Sequence, residues 1–329
     1  MKTWAKKQIL ASHALRLAGN LREPSTAILM YHSVMLDPAQ YADSLGDMIH
    51  PESEFRLQME LIARDYLPLS LDDLVGALQT GRDLPKRSVV ITFDDGYTDN
   101  SEIALPILNH FGIAATFYIT VDCVEKRTLP WPSRLRYAFR NTLRSTWTDS
   151  QAKVWTLSPA GRQAAFVSVC DECCQLTGRV QEDFVLRVER ELESHVPSQL
   201  GALMMNYDQI RDLARQGHIV GSHTMTHPNM AYIHNGELRT ELAESKRRLE
   251  VQLNMQVKHF AYPCPALSPH WNERTKEATR AVEYSSAVTT NSGLVEVGDN
   301  PLQLKRLKPT KTVGGLQWNL ECAFAGRTI

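Results

Sequence analysis

The chain has 329 residues, a formal net charge of −1 and 43% hydrophobic residues, a composition that is ordinary for a globular protein. So neutral a balance gives no reason to expect nucleic acid as a partner, and no apolar run reaches the length that crossing a bilayer requires. The length allows one large domain with an insertion or two smaller domains.

The six cysteines bear on the compartment in which the protein works. Their spacing shows no paired framework, and a chain of this size does not need disulfides to fold. The run Cys170-x-x-Cys173-Cys174 could bind a metal ion, but no second Cys or His pair with structural-zinc spacing follows it. We therefore interpret these cysteines as helix residues and expect a reducing compartment.

Residues 1–24 form a basic N-terminal segment. Residues 1–22 contain five Lys or Arg side chains and no acidic one, and five of their apolar side chains fall on one helical face. That face consists of Leu10, Ala14, Leu17, Ala18 and Leu21. We favour a helix that packs on the domain over one that lies on an anionic membrane surface. Because no signal peptide is recognisable, we expect a cytoplasmic protein, with peripheral membrane contact through residues 1–22 as the alternative.

The rest of the chain alternates between strand-like and helix-like segments in two stretches, residues 25–122 and 204–329. The patterns predict strands at residues 27–32, 89–93, 113–120, 218–222, 258–262 and 284–289. They predict helices at residues 54–66, 71–78, 99–110, 207–216, 236–253 and 271–281. Ser70 and Asn206 are N-cap candidates for two of these helices. Repeated strand–helix units indicate an α/β fold with a parallel sheet, either open or closed into a barrel.

Four of the predicted strands carry clusters of unusual residues at their carboxyl ends. These clusters are Tyr31-His32-Ser33, Asp94-Asp95-Gly96, the stretch from His223 to His227, and Tyr262-Pro263-Cys264. In parallel barrels the carboxyl ends of the strands meet on one face, where the chemistry gathers. It is improbable that four such clusters at strand ends are four unrelated turns. We therefore favour a barrel, in which they share one face, over an open sheet.

The adjacent acids Asp94 and Asp95 need a reason, because two buried neighbouring carboxylates repel each other. A solvated Asp-Gly turn is one alternative. His223 and His227 stand four residues apart, and with a strand-end carboxylate they make the ligand set of a divalent metal ion. One aspartate would then ligate the ion, while the other stays ionised in its field as a general base.

Three motifs, 92-TFDDG-96, 223-HTMTH-227 and 260-FAYPCP-265, resemble those of the polysaccharide deacetylase family, also described as the NodB-homology domain or carbohydrate esterase family four. The stretch 29-LMYHSV-34 is similar to the branch that deacetylates poly-N-acetylglucosamine exopolysaccharides. The resemblance extends over residues 25–122 and 203–310. It implies a distorted (β/α)7-type barrel, interrupted here by an insertion.

The resemblance also implies a reaction and the residues that perform it. Asp94 is similar to the general base of the family, and the metal ligands are matched by Asp95, His223 and His227. One divalent ion is implied, with zinc first and cobalt, nickel or iron as alternatives. The implied enzyme is a hydrolase that removes N-acetyl groups from N-acetylhexosamine units of a glycan or a lipid-linked sugar and releases acetate.

The remaining assignments concern the substrate segment and the general acid. Tyr262, Pro263 and Cys264 match the third motif, where a backbone N–H, that of Cys264, would stabilise the oxyanion. That motif lacks the arginine with which many members steady the base, as does the exopolysaccharide branch. A late Leu-x-His motif is also missing, since His270 is not in that setting. We assign the acid to His32, which matches the branch's Tyr-His pair; a rim histidine bonded to a backbone carbonyl is the alternative.

Residues 123–203 break the strand–helix rhythm and predict a mainly helical insertion, longer than a barrel loop needs to be. It contains side chains that could contact a glycan: Trp131, Trp147, Trp155, Arg134, Arg136, Arg140 and Arg144. We slightly favour a lobe with its own small core and a solvated charged face.

Two other functions stay open at this point. The same metal site could hydrolyse a small amide or imide, and a protein without its acid could bind glycans without turnover. Acetate release from N-acetylglucosamine oligomers separates the deacetylase from both. Neither a phosphate-binding loop nor a dinucleotide fingerprint supports nucleotide chemistry.

Overall fold

A computed structural model describes residues 3–327. Its strands are β1 (Ser25–Tyr31), β2 (Ser33–Met35), β3 (Ile49–Pro51), β4 (Leu67–Pro68), β5 (Ser88–Phe93), β6 (Ala115–Ile119), β7 (Thr146–Thr148), β8 (Val154–Thr156), β9 (Ile219–Ser222), β10 (His259–Ala261), β11 (Ser286–Ser292), β12 (Val295–Glu296) and β13 (Leu304–Arg306).

The α-helices lie mostly between the strands. They are α1 (Thr3–Ala11), α2 (Ala14–Asn20), α3 (Ala42–Leu45), α4 (Glu52–Asp65), α5 (Leu71–Thr80), α6 (Leu105–His110), α7 (Val121–Lys126), α8 (Trp131–Asn141), α9 (Pro159–Cys173), α10 (Gly178–Glu191), α11 (Tyr207–Arg215), α12 (Asn235–Leu253), α13 (Glu273–Ala281) and α14 (Val313–Phe324). A π-helical turn, Asn100–Ala104, precedes α6, and short 3-10 helices occupy Pro38–Tyr41, Gly46–Met48, Ser198–Leu203 and Pro301–Gln303.

Seven parallel strands form the central sheet in the order β1, β5, β6, β9, β10, β11 and β13. The sheet closes on itself just after β13. There the Leu307 N–H donates to the Ile28 carbonyl (2.7 Å), and the Met30 N–H donates to the Leu307 carbonyl (3.1 Å). At the margins, β4 joins β5 in parallel and β12 pairs antiparallel with β1. This topology confirms the predicted distorted (β/α)7 barrel.

The two faces of each strand pack into different layers, because successive side chains point to opposite sides of a sheet. In β5, Ile91 and Phe93 pack outward with the surrounding helices, whereas Val90 packs with the interior layer and α5. The Asp72 carboxylate of α5 lies 3.0 Å from His259 Nε2 at the start of β10. Helix α5 therefore covers the amino end of the barrel, and the carboxyl end carries the polar residues.

Between β6 and β9 the chain forms a helical lobe with a separate hydrophobic core. Helices α8, α9 and α10 supply most of the core side chains, among them Leu135, Val169 and Val188. The hairpin of β7 and β8 packs against them through Trp147. A second core is the arrangement that we favoured from the sequence, although the limits at residues 123 and 203 stay a prediction.

The tryptophans of the lobe are mostly used inside it. Trp131 and Trp147 are buried, and their indole N–H groups donate to the His227 carbonyl (2.9 Å) and to the Glu191 carboxylate (2.9 Å). Neither ring is free to stack on a sugar. Through Trp131 the lobe is instead tied directly to one of the predicted metal ligands.

The N-terminal segment differs from its prediction. One continuous helix is wrong, because His13 adopts a left-handed backbone conformation (φ 55°) that separates α1 from α2. Helix α2 packs on α14 through the buried Leu15, which is not on the predicted face. On that predicted face, Leu17 is 63% exposed and Leu21 is 90% exposed.

Within residues 3–327, no helix has both the length and the apolar character that a membrane span would need.

Candidate active site

A cavity of about 250 Å³ opens at the carboxyl ends of the barrel strands. Residues that follow β1, β5, β9 and β10 line it, together with residues of α8 from the lobe. The structure thus brings together most of the residues that the sequence predicts for the site, namely His32, Asp94, Asp95, His223, His227, Tyr262 and Cys264.

Asp94 continues the interior face of β5 and is buried against Arg306, the last residue of β13. Arg306 Nη1 donates to Asp94 Oδ1 (2.8 Å), and Nη2 donates to Oδ2 (2.7 Å). Arg306 Nε donates to the Thr289 carbonyl (2.8 Å), so the guanidinium is fixed from both sides. Burial acts to raise the pKa of Asp94, but the charge and hydrogen bonds of Arg306, together with the nearby histidines, outweigh it and hold that pKa below its ordinary value. Asp94 is therefore an ionised, rigidly oriented carboxylate.

Asp95 faces the two histidines from the neighbouring position. Its φ of 78° places it in the left-handed region, and Gly96 follows with a φ of 92°. This turn allows two consecutive aspartates to face the same cavity, at a cost in backbone strain that is common at functional sites. Asp95 Oδ1 lies 3.4 Å from His227 Nε2 and 3.6 Å from His223 Nε2.

This cluster fits a divalent metal ion. Asp95 Oδ1 is buried and has no hydrogen-bond partner among the described residues. Ligand atoms ~2.0–2.1 Å from a tetrahedral ion are about 3.3 Å apart, close to the observed separations. His223 Nδ1 lies 2.8 Å from the Ala261 carbonyl, so Nδ1 carries the proton and Nε2 offers its lone pair to the cluster. Burial lowers the pKa of His223 to about 4, which keeps the ring neutral, as ligation requires.

The loop after β9 is held in place from α12. The buried Glu241 carboxylate accepts hydrogen bonds from the Met225 N–H (2.8 Å) and from the N–H and hydroxyl of Thr226 (2.9 and 2.6 Å). The Thr224 hydroxyl accepts from the His227 N–H (3.0 Å). Both Thr224 (φ 69°) and His227 (φ 61°) have left-handed backbones, which these contacts maintain. Glu241 therefore positions both histidines without touching them.

His32 lies at the rim between β1 and β2. The Asn100 amide donates to the His32 carbonyl (2.8 Å). The Asp99 carboxyl accepts from the Ser33 hydroxyl (2.7 Å) and the Val34 N–H (3.0 Å). Asp99 and Asn100 follow the paired aspartates closely along the chain, so the segment after β5 also sets the position of His32.

The three residues after β10 differ in what they can donate. The Tyr262 hydroxyl donates to the Leu302 carbonyl (3.2 Å), and its N–H donates to the Val288 carbonyl (3.1 Å). Tyr262 therefore lines the cavity but has no free hydrogen-bond donor, and Pro263 has no N–H at all. The place of these two residues in the substrate segment stays a prediction, and neither offers a free N–H to an oxyanion. Cys264 is exposed, and among the described residues no backbone carbonyl accepts its N–H.

Four positioning residues escape sequence reasoning. Asp99 and Asn100 lie within six residues of the paired aspartates, and this run of polar side chains could have indicated further site residues. Glu241 looks like one more acid in a highly charged helix, and Arg306 sits in a strand of three residues. Arg306 supplies the cation that the third motif lacks, from a strand that shows no periodic pattern.

A closed parallel barrel with a carboxylate and histidine cluster at the carboxyl ends of its strands defines an α/β-barrel enzyme. A family model described as "Polysaccharide deacetylase" matches residues 81–156 and 184–287, more than half of the chain. The chain belongs to the polysaccharide deacetylase family, which confirms the resemblance seen in its motifs.

Individual relatives are distant in sequence but similar in fold. YxkH of Bacillus subtilis (strain 168), which bears a provisional polysaccharide deacetylase name, is 21% identical over 290 residues, 88% of this chain and 72% of YxkH. The deacetylase PplD of Streptococcus pyogenes, solved in complex with acetate, has a TM-score of 0.60 at 20% identity and covers 90% of this chain and 97% of its own. IcaB of Ammonifex degensii has a TM-score of 0.57 at 17% identity over 92% and 98%.

Proposed function

We propose that this protein is a metal-dependent N-deacetylase that acts on N-acetylhexosamine units of a glycan or a lipid-linked sugar. One observation carries the proposal: a cavity holds both a buried, Arg306-paired carboxylate and an unsatisfied Asp95–His223–His227 cluster. The acetate in the PplD structure is the product that such a reaction would release. Membership of the family supports deacetylation, and the cluster supports a metal ion.

Asp95, His223 and His227 would hold the ion. When bound there, a divalent ion supplies Lewis-acid polarisation of the acetamide carbonyl and makes water more acidic. Zinc suits this ligand set, and cobalt, nickel and iron are the alternatives.

The protein's own groups move the protons. Asp94 accepts a proton from the water that attacks the carbonyl carbon, and Arg306 keeps its carboxylate in one orientation. The Cys264 N–H donates to the oxyanion that forms. The C–N bond then breaks, acetate leaves, and the sugar nitrogen takes a proton as it becomes a free amine.

His32 is the proposed donor of that proton. Burial lowers the pKa of His32, while the charges of Asp95 and Asp94 act in the opposite direction, which reflects how near the ring lies to both carboxylates. Replacing His32 by Ala should abolish turnover while the metal content is retained. A His32→Ala enzyme with wild-type activity would remove this assignment.

The test of the function is acetate release. Purified protein would be incubated with N-acetylglucosamine oligomers, a lipid-linked N-acetylated sugar, and a set of small amides and imides. Acetate and free amine in equal amounts from the sugars, absent in Asp94→Asn, would support the proposal. Hydrolysis of the small amides alone would replace the substrate class, and glycan binding without turnover would contradict catalysis.

We further propose a cytoplasmic protein that makes peripheral contact with a membrane through its N-terminal segment. The support is chemical: the N-terminal segment exposes Leu17 and Leu21 beside basic residues such as Arg16, a pattern that suits anionic lipid. The full chain should float with anionic liposomes more than Leu17→Gln/Leu21→Gln, and equal flotation would remove the idea. Neutral liposomes give the matched control.

A further inference from the structure

A second groove lies beside the active-site cavity, on the lobe. Its volume is about 490 Å³, and it runs between α3, α8 and α9. We call it the lobe groove, and define it by Asp43, Arg136, Phe139, Arg140, Arg162 and Phe166. Arg136 lines both the lobe groove and the active-site cavity, so one side chain borders both spaces.

Arg136 differs from the other arginines near it. Arg134, Arg140 and Arg144 all pair with carboxylates. Within residues 3–327, no carboxylate pairs with Arg136, and its Nε is buried without a hydrogen-bond partner. The Phe166 ring lies 5.0 Å from the guanidinium carbon, which attracts the cation but accepts no conventional hydrogen bond.

An arginine in this state is favourably placed to receive a ligand oxygen. A buried donor without an acceptor is unfavourable, because it has lost water and gained nothing in return. Guanidinium groups bind carboxylate and phosphate through paired hydrogen bonds of matching geometry. The Phe166 ring packs against the guanidinium on one side. On another side the backbone of Gly46 is so close that a Cβ atom added there would lie 3.2 Å from Arg136 Nη1.

The remaining charges of the groove add to the same field. Arg140 lies 3.6 Å from Asp43, and both side chains are 53% exposed, so solvent weakens this ion pair. Arg162 donates to the Phe139 and Arg140 carbonyls at the end of α8 and has no carboxylate partner among the described residues. Three guanidinium groups face a single carboxylate, and the groove is positively charged.

We propose that the lobe groove binds an oxyanion, either carboxylate or phosphate, on the same molecule whose N-acetylhexosamine occupies the active-site cavity. The preferred substrate is therefore an anionic N-acetylated glycan or sugar phosphate rather than a neutral polymer. The inference rests on the proposed deacetylase function, because it takes the cavity beside the paired aspartates as the place of reaction. Arg136 is its central contact, and Arg140 and Arg162 contribute the surrounding charge.

The test compares substrates that differ in charge. A neutral chitin tetrasaccharide, a hyaluronan tetrasaccharide with uronate carboxylates, and an N-acetylglucosamine diphosphate linked to a short polyprenol would be assayed for acetate release and, by calorimetry, for binding. The variants are Arg136→Gln and Arg136→Lys. The matched control is Arg144→Gln, which removes an exposed lobe arginine that pairs with Glu193 outside the groove.

We expect kcat/KM to be higher for at least one anionic substrate than for the neutral one. Arg136→Gln should lower the anionic-to-neutral ratio by about ten- to a hundred-fold, the loss expected for a charge-assisted hydrogen bond. Arg136→Lys should keep part of that ratio, and Arg144→Gln should leave it unchanged. The substrate whose ratio falls most identifies carboxylate or phosphate as the source of the oxyanion.

Two results would contradict the proposed anion site, and they can be told apart from the result that would contradict the deacetylase function. If Arg136→Gln weakens neutral and anionic substrates equally, Arg136 only positions the lobe. If the wild type releases acetate from neutral and anionic substrates equally well, the proposed deacetylase function is supported and the anion site is contradicted. Arg136-dependent binding of an anionic sugar without any acetate release would retain the groove and reject the proposed function.

Discussion

The molecule contains two buried charge clusters that differ in how completely their polar atoms are satisfied. In the lobe, Arg134 donates to both oxygens of Glu189 (3.0 and 2.8 Å) and both oxygens of Glu182 (2.8 Å each). At the active site, Asp95 Oδ1 has no described partner, and the nearest histidine nitrogen is 3.4 Å away. An unsatisfied buried group costs about 1–3 kcal/mol, so the second arrangement is sensible only if a ligand completes it.

The pair of Asp94 and Arg306 shows that the active site is not simply poorly packed. It lies beside the open cluster, is equally buried, and is fully hydrogen-bonded. The same site therefore combines a closed pair that fixes a base with an open set of ligands. Burial alone does not distinguish structure from function here, whereas hydrogen-bond satisfaction does.

Breaking the closed pair should have the largest effect on both stability and activity. Arg306→Gln leaves the Asp94 charge buried and unpaired, which we expect to lower the free energy of unfolding by about 3–5 kcal/mol. Loss of its orienting hydrogen bonds should lower kcat/KM by about 10- to 100-fold or more. Denaturant unfolding and acetate release measure the two effects.

The double variant Arg306→Gln/Asp94→Asn gives the control for that prediction. It removes both charges, so stability should recover in part while activity stays absent. If the two substitutions destabilise additively, the two side chains do not act as a pair and the account of the base fails.

Breaking the lobe network should separate stability from metal binding. Arg134→Met leaves Glu189 buried without its cation and should lower the free energy of unfolding by about 3 kcal/mol. Because Arg134, Glu182 and Glu189 do not line the active-site cavity, the bound metal per folded chain should not change. Arg144→Gln, in an exposed pair, should be near neutral. Loss of metal in Arg134→Met would mean that the two clusters are not independent.

Asp99 is a third kind of buried acid, a carboxyl with hydrogen-bond donors but no cation beside it. Burial raises its pKa to about 7, above an unfolded value of about 3.9. Between these values the native state holds a proton that the unfolded state has released, so its contribution to stability falls as the pH rises. The wild type should therefore lose about 2–3 kcal/mol relative to Asp99→Asn between about pH 5 and pH 8. Parallel unfolding profiles of the two proteins would refute this.

The barrel strands could be predicted from the sequence wherever apolar runs end in polar turns. The N-caps Ser70 and Asn206 also agree, since each side chain accepts the expected N–H, from Asp73 (3.1 Å) and Gln209 (2.9 Å). Such signals are local, because a strand face or a cap depends on neighbouring residues. The metal cluster followed from the same local motifs.

The parts that could not be predicted depend on contacts between distant residues. Strand β13 has three residues, too few for a periodic pattern, and its neighbour Leu307 closes the barrel. Arg306 is buried in it because Asp94, more than 200 positions earlier, neutralises it. The same holds for Arg136, whose isolation becomes visible once the partners of its neighbours are known.

Asp95 and the two histidines together make the proposed metal site, which catalysis requires. Bound metal and acetate release should be measured together in the wild type and in Asp95→Asn. We expect about one divalent ion per wild-type chain, with both the ion and turnover lost in the variant. An Asp95→Asn protein that keeps the ion, or a metal-free wild type that still releases acetate, would contradict it.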